Sequence, residues 1–195
     1  NTLGITDYGI NNVVGGIVGM LSFLTGNLAS GSQRFLAYDI ARGDDWQLNR
    51  TFSTIVLSYY IMGGVVILLS ETFGVWFLNT HMLIPEERMI AANWVLQCSI
   101  FQFSVGLINA GYSSAVIAYE KMSIFAYVDI ANVFLRLLVL YCIVVTPFDK
   151  LISLSCIYLF ISIGQTVFYR WYCTKHLNAI NFHFIWDGKK MKEIM

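Results

Sequence analysis

The chain has 195 residues, with Lys+Arg 12 against Asp+Glu 12, so its formal net charge is zero. Hydrophobic residues make up 57% and charged residues only 12%, whereas an average soluble domain carries about 25% charged residues. So little charge cannot cover a soluble globule of this size, and zero net charge draws no polyanion. The composition excludes an ordinary cytosolic enzyme, a disordered tail and a nucleic-acid binder, and it leaves a multi-pass membrane protein.

A spanning helix needs about 20 mostly apolar residues. Five stretches qualify. The first covers 10–29, in a helix that continues to Ala41. The others cover 52–77, 91–118, 124–146 and 151–172. The predicted fold class is therefore all-α: a multi-pass transmembrane helical bundle over residues 1–174, followed by a basic segment over 175–195 that leads to a further helix. Pro85 and Pro147 both fall between spans, and proline is expensive inside a helix, so the spans are unbroken.

Gly43 is a helix stop, and Asp44-Asp45 are N-cap candidates for the second helix. Pro85-Glu86-Glu87 fits a first helical turn, with proline at N1 and acids against the positive end of the dipole. Two aromatic groups mark membrane interfaces: Phe73, Trp76 and Phe77, and Tyr169, Trp171 and Tyr172.

Loop charges set the orientation. Alternating sides collect Arg34, Arg42, Arg50, Lys121, Arg170, Lys175, Lys189, Lys190 and Lys192 on one face, and Arg88 and Lys150 on the other. The richer face is cytoplasmic, so Asn1 is outside and Met195 inside. The chain opens without a basic leader segment and ends just after a helix-start pattern at Asp187. It reads as a piece of a longer protein with a helix upstream.

Cys98, Cys142, Cys156 and Cys173 include no C-x-x-C, and the first three lie in apolar stretches. They read as reduced packing thiols. His81, His176 and His183 are not at metal-ligand spacing, so no metal or other cofactor is predicted. The sequon Asn49-Arg50-Thr51 falls in a connection assigned to the cytoplasm, which argues against glycosylation. No nucleophile elbow, His-Glu-x-x-His or paired carboxylates at depth occur, so the chain does not read as an enzyme.

Arg136 is the most informative residue. It sits inside the fourth span, where a charge costs roughly 2.5–3.5 kcal/mol on insertion scales. At about 100° per residue, Phe125, Asp129, Asn132 and Arg136 share one helix face. Asp129 lies about 10 Å nearer the cytoplasm, too far for an easy direct pair. Arg136 either lines a polar cavity able to hold a phosphate-like anion, or joins a structural ion pair with Asp129 through water or with an acid elsewhere.

Arg34 shares a face with Asn27 and Ser30 at the cytoplasmic end of the first span. It is a second binding candidate or a snorkelling interface arginine. In the third span, Asn93, Gln97 and Ser104 define one face, and Gln102, Gly106, Asn109 and Ser113 nearly the opposite one. A helix polar on two sides is buried in its bundle, with one face toward a cavity and the other against a neighbour. Gly15, Gly19, Ser22 and Gly26 form a small-residue stripe suited to close helix packing.

The run from Leu3 through Gly4, Thr6, Asp7, Tyr8, Gly9, Asn11 and Asn12 to Gly15-Gly16 resembles the entry to the second helix of bacterial polysaccharide flippases. So do Ser32-Gln33-Arg34-Phe35, Ile84-Pro85-Glu86-Glu87-Arg88-Met89 before Ala92-Asn93-Trp94, Ala118-Tyr119-Glu120-Lys121-Met122, and Trp186-Asp187. The resemblance is to the oligosaccharide exporters of the multidrug/oligosaccharidyl-lipid/polysaccharide superfamily, and it extends over nearly the whole chain.

That resemblance implies two pseudo-symmetric helical lobes around a cationic cavity. It implies movement of undecaprenyl-pyrophosphate-linked oligosaccharide across the bacterial inner membrane by alternating access, for lipopolysaccharide O-antigen or other surface polysaccharide. This chain would supply helices two to six of the first lobe, with the second lobe and the lipid-linked oligosaccharide as its partners in the bilayer. Arg136 and Arg34 would attract the pyrophosphate, while Gln97, Asn93 and Asn132 would bond sugar hydroxyls. Asp129 would couple to a cation or set the state of Arg136. The alternatives are a drug/cation antiporter of the same superfamily, which favours acidic cavities, and a non-transporting membrane scaffold.

Overall fold

The computed structural model describes residues 5–81, 84, 86–142 and 149–177. The expectations placed on Asn1, Pro85, Pro147, His183, Trp186-Asp187, the terminal lysines and residues 143–146 lie outside the described residues, as do the side chains of Ser22, Glu86, Glu87 and Cys142. Among the described residues the chain is all-helical. It forms five helices: α1 (Ile5–Arg42), α2 (Asp45–His81), α3 (Glu86–Ala118), α4 (Met122–Cys142) and α5 (Lys150–His176).

Four of them, α2 to α5, are long and apolar enough to cross a membrane. The protein is thus a multi-pass transmembrane helical bundle. The helix expected to continue past the first apolar stretch does so, with α1 unbroken to Arg42. At 38 residues it is about 57 Å long, well beyond the hydrocarbon thickness of about 30 Å.

Local signals explain the helix ends. Gly43 takes a left-handed φ of 69°, the conformation glycine adopts without a Cβ penalty. Asp44 then caps α2, its carboxylate accepting the Gln47 N–H at 3.1 Å. Asp149 caps α5 through the Leu151 N–H at 3.1 Å, and it also accepts from Arg88 at 2.7 Å, which ties the N-terminal ends of α3 and α5. Between α3 and α4, Glu120 N–H bonds the Ile117 carbonyl and Lys121 N–H bonds the Val116 carbonyl. This is a Schellman turn with Glu120 left-handed at φ 58°. The adjacent Tyr119 is half-buried, and burial, with Asp45 adding to it, pushes its phenol pKa up.

A π-helical turn, Ser70–Gly74, interrupts α2. Tyr59, Gly63 and Val66 follow ordinary helical spacing on the buried face, and the next buried positions are Gly74 and Leu78. The wider turn absorbs one residue and keeps the far end of α2 facing α3.

α3 is the central helix and packs along α1, α2 and α5. One half of the core holds Leu36, Phe52, Ile55, Tyr59, Leu107, Tyr112 and Tyr169, and the other holds Leu78, Leu96, Ile100 and Leu151. Gly111 permits a close approach, since a Cβ there would sit 3.0 Å from Tyr59 Cδ2. The aromatic groups separate. Phe73, Trp76, Phe77 and Trp171 are exposed as an interfacial belt should be, but Tyr169 and Tyr172 are buried. The i, i+3 step that joins Tyr169 to Tyr172 turns both toward α3 rather than toward the lipid headgroups.

Candidate functional site

A cavity of about 450 Å³ opens among α1, α3, α4 and α5. α3 contributes Ser99, Gln102, Gly106 and Asn109, all on or beside the second of its two polar faces. α1 contributes Gly15, Gly19 and Thr25, α5 contributes Ser162 and Gln165, and α4 contributes Arg136. Gly15 and Gly19 of the α1 small-residue stripe line this cavity. A Cβ built on Gly15, Gly19 or Gly26 meets nothing within 4 Å among the described residues. The Thr25 hydroxyl oxygen and the Asn109 carboxamide oxygen are buried and unbonded. Buried polar atoms are satisfied as a rule, so both stand ready to bond water or a ligand in this cavity.

Arg136 is exposed on α4, and its guanidinium lies over the Tyr158 ring of α5, 5.6 Å from the centroid. No carboxylate pairs with it among the described residues. A cation–π contact supplies about 0.5–2 kcal/mol, against an insertion cost of roughly 2.5–3.5 kcal/mol. Tyr158 orients the guanidinium without offsetting that cost, and the balance falls to water or an anion at the cavity.

Asn132, one turn before Arg136, donates through Nδ2 to Gln165 Oε1 at 2.8 Å, while its own Oδ1 is buried and unbonded. This bond carries the polar lining from α4 to α5. Asp129 is half-buried on α4. Arg136 and Asn132 thus both meet α5, through Tyr158 and Gln165, and of the two only Arg136 lines the cavity itself.

Asn93 and Gln97 occupy the other polar face of α3 and engage α2. Asn93 exchanges reciprocal amide bonds with Asn79 at 3.2 and 3.3 Å, and Gln97 Nε2 donates to Glu71 Oε2 at 2.9 Å. Farther along, Ser104 hydroxyl reaches the Gly63 carbonyl at 3.4 Å. This face forms a polar seam between α2 and α3 and does not line the cavity. Arg34 is exposed toward the C-terminal end of α1 and is likewise not among the cavity residues.

Gln102, Asn109, Thr25, Gln165 and Tyr158 complete the site beyond the residues chosen from the sequence. Gln102 and Asn109 are seven apart on one face, and Gln165 interrupts an apolar span. Those signals were present, but they do not say which face meets which neighbour. Glu71 lies in the π-turn inside α2. No group of three or more metal-ligating side chains occurs among the described residues. Comparison of the chain with protein-family models, curated proteins and solved structures gives no match.

Proposed function

We propose that this chain is part of a transporter of the bacterial inner membrane that moves lipid-linked oligosaccharide between leaflets by alternating access. In this reading the Arg136 cavity receives the pyrophosphate of the undecaprenyl carrier. Gln102, Asn109 and Thr25 offer amide and hydroxyl groups to sugar, and the polyprenyl tail stays in lipid. The observation that carries the reading is that, among the described residues, a single arginine, drawn from a membrane-spanning helix, lines a cavity whose other lining groups are neutral polar side chains and small or apolar residues. A cavity of that kind favours an anion with hydroxyl-rich substituents. It disfavours the drug/cation antiporter, which needs an acidic lining.

The reading is tested by titrating a short-chain prenyl pyrophosphate into the complete protein in nanodiscs. A hydrogen bond to a charged group is worth about 1.5–3 kcal/mol. Arg136→Gln is therefore expected to weaken binding by roughly ten- to a hundred-fold. Equal binding by the wild type and the folded variant overturns it.

A further inference from the structure

Cys98 on α3 and Cys156 on α5 bring their sulfurs to 3.6 Å. They are 58 residues apart in the chain, so the contact is a product of helix packing. The two helices run in the same direction and are tied on both sides of the thiols. Toward their N-terminal ends Arg88 bonds Asp149. Toward their C-terminal ends the Thr166 hydroxyl reaches the Val105 carbonyl at 3.5 Å, and the Cys173 thiol reaches the Tyr112 carbonyl at 3.7 Å. These three ties all join residues 61 apart, so the helices hold one register along their length. The thiols are fixed side by side. A disulfide has an S–S bond of about 2.05 Å, so closure needs about 1.5 Å of movement, within reach of side-chain rotation. Cys98 is buried and Cys156 is half-buried, so Cys156 is the more exposed residue of the pair.

We propose that Cys98 and Cys156 are a redox-modification site, oxidised by an organic hydroperoxide, an oxidant class that partitions into lipid, to a disulfide joining α3 to α5. The sulfur of Cys156 attacks the terminal peroxide oxygen. The O–O bond breaks, the alcohol leaves with one proton, and Cys156 becomes a sulfenic acid. The sulfur of Cys98 then attacks that sulfur, the S–O bond breaks, water leaves, and the S–S bond forms. Two thiol protons and two electrons pass to one hydroperoxide, giving one alcohol and one water. Ser99, beside Cys98, lines the polar cavity, so the bond staples α3 to α5 at the cavity wall. This chemistry is independent of what the cavity carries.

The complete protein in nanodiscs is treated with tert-butyl hydroperoxide, denatured, labelled with a maleimide and mapped by peptide mass spectrometry. Two of the four cysteines are expected to lose their labelling. A Cys98–Cys156 peptide lighter by two hydrogens should appear, and dithiothreitol should restore both thiols. Cys98→Ser and Cys156→Ser are each expected to abolish the linkage, and the half-buried position of Cys156 makes its variant the test should Cys98→Ser fail to fold. Full labelling of all four cysteines after treatment overturns the proposal, as does a linkage through Cys142 or Cys173 or between two chains.

Discussion

The guanidinium of Arg136 stacks over the ring of Tyr158, 5.6 Å from its centroid, so the cation of α4 is oriented by an aromatic face of α5. The ring fixes direction while leaving the hydrogen-bond donors of the guanidinium available. Tyr158→Phe keeps the ring and is expected to leave thermal unfolding in detergent unchanged. Tyr158→Leu removes the contact and should destabilise by about 1 kcal/mol. Equal melting of the Phe and Leu variants would remove the stacking from the account.

Asn132 and Gln165 form the polar tie between α4 and α5. Interhelical side-chain hydrogen bonds in membranes average about 0.6 kcal/mol in double-mutant cycles, with a maximum near 1.7. Asn132→Leu and Gln165→Leu should each cost about 1 kcal/mol, and the double variant should cost less than their sum. Strict additivity would show that the bond does not couple the helices.

Gly111 of α3 lies against the Tyr59 ring of α2. Tyr59, whose ring an added methyl would press, is buried, and its hydroxyl lies 3.3 Å from that of Ser32. The ring has little room to yield. Gly111→Ala gains helix propensity of about 1 kcal/mol, but overpacking costs about 1–3 kcal/mol. A net loss of about 1 kcal/mol is expected in thermal unfolding. A stabilised variant would mean that Tyr59 moves freely.

Glu120 occupies the left-handed position of the α3–α4 turn, at a cost of about 1–2 kcal/mol relative to right-handed backbone. Glu120→Gly relieves that cost, and it loses part of the gain to the freedom of glycine in the unfolded chain. A stabilisation of about 0.5–1 kcal/mol is expected, and no change in melting would argue against the strain.

Four of the five expected spans, those of α2 to α5, were legible because an apolar run of about 20 residues has few other uses in a chain this poor in charge. The stop at Gly43 and the cap at Asp44 were legible because their chemistry is local. Arg136 stood out because a charge inside a span is costly wherever the helix packs. What the sequence left open were relations between helices. The two polar faces of α3 could be counted, but their partners come from packing. Hence Asn93 and Gln97, read as sugar contacts, bond Asn79 and Glu71 of α2, and Gln102 and Asn109 of the other face line the cavity. The π-turn within α2 has no strong local signal, and neither does the left-handed Glu120, a position where glycine is usual. The meeting of Cys98 with Cys156 depends on the shared register of two helices that are far apart in sequence.

The central claim is that the Arg136 cavity carries an anionic lipid-linked glycan between leaflets. Its most direct test is leaflet transfer of a pyrophosphate-linked oligosaccharide by the complete protein in liposomes, with Arg136→Gln in parallel. The account predicts transfer by the wild type and a loss of at least about ten-fold in a variant that still folds, the size of one charged hydrogen bond. Transfer that survives the substitution unchanged, or efflux of organic cations with no glycan transfer, would contradict it.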